Sequence, residues 1–319
     1  MQLSNTAQTQ NGGKVTVDPE GCARKVLDIH GEVGAAWLER LPALVAAAAD
    51  RWLLTILPPF PKLSYNYVAP VTGPGGEAWV LKAGVPHREL WDEAAALEVF
   101  AGRGIARLIA ADRDAGLLLL ERVQPGDSLK TVANDDAQVW AVAGVIRRLP
   151  RPLPPHHSFR TLAHLARGLD RLRAEFGGGY GPFPPRQVER GAGLLRELIT
   201  GTAADQLIHG DMNPGNVLLA TREPWLAIDP KGYAAHPLFD VATFLNDPPV
   251  GLAPDALRRL QERRIALFAE ALNESRAAVL AWAEAHAVLS GWWSYEDHGR
   301  GWEAAFRLAE LYASMTGHR

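Results

Sequence analysis

The pattern of apolar and polar positions changes character once along this chain. Up to about residue 124, short apolar runs alternate with helical stretches, and beyond it helical spacing dominates. From residue 33 to 57, Trp37, Leu41, Leu44, Val45, Ala48 and Trp52 recur near every third or fourth place, predicting an amphipathic helix. Leu63 to Val71 reads as two strand edges, Ala78 to Lys82 as a strand, residues 104–109 as more of the same sheet and Leu117 to Val123 as its last strand. A helix opening at Pro86 separates them, with Leu90, Ala94, Leu97 and Ala101 as its inward stripe. After Pro125-Gly126 the spacing predicts helices over Leu129–Leu149, Ser158–Phe176 and Arg186–Ile199, and over about 254–272, 275–292 and 301–316. Leu162, Leu165, Leu169 and Leu172 are the predicted core face of the second of these.

Two short apolar runs, Val217–Leu219 and Trp225–Ile228, interrupt that helical half, and polar residues stand at their ends. Ahead of them lies His209-Gly210-Asp211-Met212-Asn213-Pro214-Gly215-Asn216, and Asp229 closes the second run. The spacing His-x-Asp-x-x-x-x-Asn is that of a phosphoryl-transfer loop. Asp211 on a tight turn can accept the proton of an attacking hydroxyl, and Asn216 can offer an amide oxygen to Mg²⁺. A hairpin of the two runs returns the Asp229 carboxylate beside Asn216 as a second metal ligand, enough for an ion that keeps waters and binds nucleotide phosphates. His209 reads as structural, its ring bonded to a neighbouring carbonyl.

The run from His209 to Asn216 with Ala227-Ile228-Asp229-Pro230-Lys231 resembles the aminoglycoside phosphotransferase superfamily. Glu223 to Lys231 and Trp292-Trp293-Ser294-Tyr295-Glu296-Asp297-His298 are similar to its streptomycin 6-kinase and hydroxyurea phosphotransferase branch. The likeness runs from about Ser64 to the C-terminus. It implies an α+β, protein-kinase-like fold of two lobes: a small antiparallel sheet lobe over residues 15–124 and a mainly helical lobe over 125–319, after a polar tail at 1–14 expected to be disordered.

On that template several further residues acquire expected roles. Lys82 ends an apolar strand where an ammonium reaches the α- and β-phosphates of ATP, and Glu93 borders the buried face of the next helix, placed to pair with it. The run Thr72-Gly73-Pro74-Gly75-Gly76 precedes the Lys82 strand and reads as a turn between strands; the nucleotide loop is expected earlier, around Ser64–Asn66. Backbone groups from Glu121 to Val123 are expected at the adenine edge. Asp240 is similar to the family's buried carboxylate at a helix start, bonding amides of the catalytic loop. Lys231 steers phosphate or caps its turn. Pro230-Lys231-Gly232 replaces the Phe-Gly that follows the metal aspartate in protein kinases, so control by a phosphorylated activation loop is not expected.

Composition narrows the remaining choices. The 319 residues, 47% hydrophobic and 22% charged, are those of a globular protein, and a net charge of −3 argues against a nucleic-acid surface. Nothing approaches the roughly 18 consecutive apolar residues of a membrane span, and the opening residues lack a signal peptide's basic start and apolar core. The single Cys22 suits a reducing compartment and belongs to no motif. A cytoplasmic monomer or weak homodimer acting on a small-molecule acceptor is expected, with ATP and Mg²⁺. Glu296 and Asp297, beside aromatic rings, are candidates for a polar or cationic acceptor, or the segment is a helix end with aromatic anchors; Asp247 is a third candidate. His156-His157 lacks a third metal ligand in view and reads as a solvated loop. The branch implies streptomycin at its 6-hydroxyl, or hydroxyurea. A kinase of a cellular sugar or amino alcohol, and a pseudokinase, are the alternatives; a metallophosphoesterase would need further ordered histidines.

Overall fold

The structure is a computed structural model that describes residues 21–61, 63–201 and 205–316. The segment 1–14, expected to be a disordered tail, lies outside the described residues. The chain forms two compact units, one running to Gly102 and including Ala106–Gln124, the other made of Arg103–Ile105 and Pro125 onward.

The first unit holds helix α1 (Cys22–Trp52), strands β1 (Thr55–Ile56), β2 (Tyr67–Thr72) and β3 (Ala78–Ala83), helix α2 (Arg88–Phe100), and strands β4 (Leu108–Asp112) and β5 (Leu117–Glu121). The strands form one antiparallel sheet in the order β1-β2-β3-β5-β4. Trp37, Leu41, Val45 and Ala48 of α1 are buried in one cluster with Tyr67, Ala69, Val71, Leu81, Leu117 and Leu119. Each leucine and valine among them contributes about 1.5–3 kcal/mol over leaving it in water. The backbone leaves helical geometry at Gly31 (φ 51°), close to where the stripe predicts the helix to begin, and a further helical stretch opening at Cys22 precedes that kink, with Cys22 fully buried in this cluster as a packing residue. It ends at Trp52 because Leu53 turns left-handed (φ 54°) and Thr55–Ile56 pairs with β2. The Gly-rich run is the turn between β2 and β3, closed by the Gly73 amide on the Glu77 carbonyl at 2.9 Å. Pro86 stands two residues ahead of α2, whose cap is the extended His87.

The second unit contains β6 (Pro125–Ser128), a 3-10 turn (Leu129–Thr131), α3 (Asp135–Arg148), β7 (Arg151–Pro152), β8 (Arg160–Thr161), α4 (Leu162–Glu175), α5 (Pro185–Gly201) and β9 (Gln206–Ile208). β10 (Val217–Ala220), β11 (Trp225–Ala227), β12 (Tyr233–Ala235), α6 (Leu238–Leu245), α7 (Pro254–Leu272), α8 (Arg276–His298) and α9 (Trp302–Thr316) complete it. The predicted helix over Leu129–Leu149 opens only at Asp135, since the Asn134 side chain accepts the Ala137 amide at 3.0 Å and caps it there. Thr161 likewise starts α4 by accepting the His164 amide. Leu162, Leu165, Leu169 and Leu172 are buried as predicted. The aromatic and acidic segment from Trp292 to His298 lies inside α8 and not between two helices. Its aromatic rings keep the helix going: Trp292 is buried and Tyr295 packs edge-on against Phe183.

The hairpin of β10 and β11 forms in the expected register, Val217 opposite Ala227, with β6 on the other edge of β10. A Cβ on Gly191 of α5 would lie 2.9 Å from Val288 atoms of α8, closer than side chains can stand. Gly191→Ala should therefore push the helices apart and cost about 1–3 kcal/mol. A urea-unfolding midpoint equal to wild type would show that this crossing carries no such constraint.

Candidate active site

In the first unit, strand β3 delivers Lys82 to the buried side of α2. Its Nζ lies 2.7 and 2.8 Å from the two Glu93 carboxylate oxygens, and the residues are 5% and 6% exposed. Glu93 reaches it from the same helix face as Leu90, Ala94 and Leu97. A buried pair of this kind adds little net stability, because desolvation offsets the attraction, but it fixes both side chains. Ser64 is exposed in the segment joining β1 to β2, where the Leu57 and Phe60 amides bond the Pro70 and Val68 carbonyls and extend the hairpin. Glu121 is engaged within the sheet: its amide donates to the Arg107 carbonyl at 2.8 Å and its carboxylate accepts the Arg107 amide at 3.0 Å. The Glu121 amide and carboxylate are thus committed within the sheet, and Val123 is buried just beyond it.

In the second unit, β9 runs directly into His209-Gly210-Asp211. Gly210 has φ +86°, and a Cβ there would meet the Tyr233 ring at 2.7 Å, so only glycine fits. The buried Asp240 carboxylate accepts the His209 amide at 3.0 Å and the Gly210 amide at 2.7 Å. His209 is fully buried; its Nε2 donates to the Ile228 carbonyl at 2.8 Å and its Nδ1 accepts the Asp211 amide at 3.1 Å. Burial lowers its pKa, so the ring is the neutral tautomer these bonds require.

Asp211 is held from two sides. Asn213 and Asn216 each point a side-chain amide nitrogen at its carboxylate, both at 3.1 Å, and Asn216 also donates to the Asp211 carbonyl at 2.9 Å. Asn213 was in the motif without a role; its Oδ1 accepts the Gly215 amide at 2.9 Å, the Asx turn that Asn-Pro-Gly favours and the one sequence signal for it. With its nitrogen on Asp211, Asn216 keeps its amide oxygen for another partner. The Ile228 amide on the Asn216 carbonyl, at 2.9 Å, brings Asp229 in just past the hairpin. Asp229 has φ 57°, a left-handed conformation that aspartate tolerates better than most residues and that recurs at functional positions. The Lys231 and Gly232 amides both bond the His209 carbonyl, at 2.8 and 3.0 Å.

An amide oxygen and a carboxylate are hard oxygen donors that fit Mg²⁺ and not a softer metal. Among the described residues no group of three or more His, Cys, Asp or Glu could hold a metal, so an ion on these two donors would need phosphates and waters to complete its shell. The three acceptor candidates separate. Glu296 of α8 forms a bidentate ion pair with Arg171 of α4, at 2.6 and 2.8 Å. Asp297 occupies the exposed last turn of the same helix. Asp247 lines a cavity of about 820 Å³ formed by residues 246–252, the start of α7, and faces of α8 and α9.

The family model described as "Aminoglycoside/hydroxyurea antibiotic resistance kinase" matches residues 51–298. The chain belongs to this family. It is 32% identical over 308 residues to a streptomycin 6-kinase of Streptomyces glaucescens, covering 96% of this chain and 99% of the relative. A hydroxyurea phosphotransferase of Kitasatospora aureofaciens is 34% identical over 75% of this chain and 71% of its own. Among solved structures, a choline kinase of Streptococcus pneumoniae superposes with a TM-score of 0.59 at 12% identity, over 86% of this chain and 99% of that one. An aminoglycoside phosphotransferase solved with ADP and hygromycin B gives 0.56 at 14%, over 85% and 98%. At such identities the likeness speaks for the fold, which is that of the protein-kinase-like phosphotransferases. The protein is a small-molecule kinase, and among its described residues no helix is long and apolar enough to cross a membrane.

In this kinase Asp240 titrates in an unusual range. Desolvation pushes its carboxyl up to about 7, against the pull of the two amides it accepts, and the charge of Asp211 adds to the rise. An unfolded aspartate titrates near pH 4, so between about pH 4 and 7 the folded protein keeps a proton the unfolded chain has lost. Stability from this group therefore falls as pH rises through that window. Asp240→Asn, which cannot ionise, should flatten that part of the pH dependence of the unfolding free energy; an unchanged slope would refute the assignment.

Proposed function

We propose that this kinase transfers the γ-phosphoryl group of ATP to a hydroxyl of streptomycin or a closely related aminocyclitol. The observation that carries the chemistry is the double amide clamp of Asn213 and Asn216 on Asp211, which fixes a carboxylate for one proton transfer. Asp211 takes the proton of the acceptor hydroxyl as its oxygen bonds to phosphorus, and the bond from phosphorus to the bridging oxygen breaks to release ADP. Lys82, held by Glu93, serves the α- and β-phosphates, with Ser64 and its loop over them and Val123 at the base. Asn216 and Asp229 would hold Mg²⁺, which would neutralise the charge building on the phosphates. Asp247 is the acceptor carboxylate this reading favours, since Glu296 already has Arg171.

Streptomycin is favoured because the streptomycin 6-kinase relative matches nearly end to end. Hydroxyurea is the second reading, supported by the phosphotransferase at 34% identity. The protein is taken to act in the cytoplasm, where ATP is supplied. Coupled ADP release should rise with streptomycin and with few other acceptors. Asp211→Ala should reduce that turnover by about a thousandfold or more while leaving ATP affinity within a few-fold. Turnover within tenfold of wild type would remove Asp211 from its role; release stimulated by hydroxyurea or simple sugars alone would move the acceptor.

A further inference from the structure

The loop from Asp211 to Asn216 contains no lysine or arginine. A cation is brought to it from elsewhere in the same unit. Lys130, on the 3-10 turn after β6, lies over Gly215, where an added Cβ would stand 3.2 Å from its Cε and 3.3 Å from its Nζ. The placement is built into the fold. Ser128 pairs with Leu218 in the sheet, donates its hydroxyl to the Pro214 carbonyl at 3.2 Å and accepts the Lys130 amide at 3.3 Å. The 3-10 turn is thereby fastened to the turn at Pro214, which sets the point from which the Lys130 side chain extends.

At its tip Lys130 meets Asp247. The Nζ to Oδ2 distance is 3.6 Å and the side chains are 57% and 49% exposed. That is a single-point, solvent-screened contact, of the kind worth at most about 1 kcal/mol. Asp247 in turn lines the cavity of about 820 Å³, together with Glu310 and two arginines, Arg258 and Arg307. Arg258 is engaged by Glu262 and by the Ser314 hydroxyl. At the end of the cavity beside the catalytic loop, then, stands a carboxylate whose counter-ion is weakly held and easily moved.

We propose that Lys130 is a specificity-determining residue that occupies, on Asp247, the place of a cationic group of the acceptor. The inference rests on the reading of this protein as a kinase of a small-molecule acceptor. A guanidinium binds a carboxylate through two parallel hydrogen bonds and outcompetes one ammonium at 3.6 Å. Streptomycin carries two guanidinium groups, whereas hydroxyurea is uncharged near neutral pH. An acceptor with such a group exchanges places with Lys130; a neutral one has nothing to offer Asp247 and meets the closed pair.

Two measurements test this together. Calorimetric titration of streptomycin without nucleotide should give about threefold tighter binding to Lys130→Met, which lacks the competitor, and about tenfold weaker binding to Asp247→Asn. The acceptor KM should follow the same order with the ATP KM unchanged. Separately, methylguanidinium chloride should give saturable NMR shifts at the Lys130 and Asp247 amides of the wild type, absent in Asp247→Asn. Methylguanidinium shifts without streptomycin binding would uphold the cation site while overturning streptomycin as acceptor. The inference is overturned if methylguanidinium produces no saturable shift, if Lys130→Met weakens streptomycin binding, or if that variant alters only the ATP KM.

Discussion

Much of this active site depends on one buried carboxylate. Asp240, in the first turn of α6, accepts the amides of His209 and Gly210, and without it two buried donors would lie unpaired at a cost of about 1–3 kcal/mol each. Those bonds hold the backbone from which Asp211 follows. The same backbone carries the His209 ring, which links Asp211 to the end of the β10–β11 hairpin through Ile228. Asp240 acts through these two amides, and the orientation of the loop follows from it.

The arrangement makes each polar group serve two neighbours. Asn216 gives its side-chain amide nitrogen to Asp211 and its backbone carbonyl to the Ile228 amide, so one residue ties the Asp211 carboxylate to the hairpin that ends at Asp229. Lys82 and Glu93 achieve a comparable economy in the sheet unit, where each is the other's partner in a water-poor setting. Catalysis by phosphoryl transfer relies mainly on placement and charge neutralisation, and such interlocked partners supply placement without large reorganisation.

The site also separates residues that sequence patterns group together. Glu296 and Asp297 are adjacent in the chain and flanked by aromatic residues, yet Glu296 is drawn onto Arg171 from α4, 125 positions earlier in the chain. Asp247, in an unremarkable Asn-Asp-Pro-Pro turn, lines the cavity of about 820 Å³. A carboxylate's availability is set by whichever cation folding brings near it, and sequence proximity to aromatic rings carries no information about that.

What the sequence alone determined is local. The turn from His209 to Asn216, the hairpin that returns Asp229 to Asn216, the Gly-rich turn and the Lys82–Glu93 pairing follow from spacing and side-chain type, because turns, hairpins and helix faces are governed by neighbours within a dozen residues. Tertiary structure decided what depends on distant partners. A helical stretch carrying Cys22 and Val26 was added ahead of the Gly31 kink because the core of the first unit offered them buried places, and α8 continued through Trp292–His298 because Phe183 and α4 covered its rings and Arg171 met its acid. Asn134 displaced the start of α3 by six residues, since a capping side chain outweighs the apolar spacing ahead of it. The contact of Lys130 with Gly215 and Asp247 joins three stretches of the second unit that no periodicity connects. Long-range packing sets such meetings, and they exist only once the chain has folded.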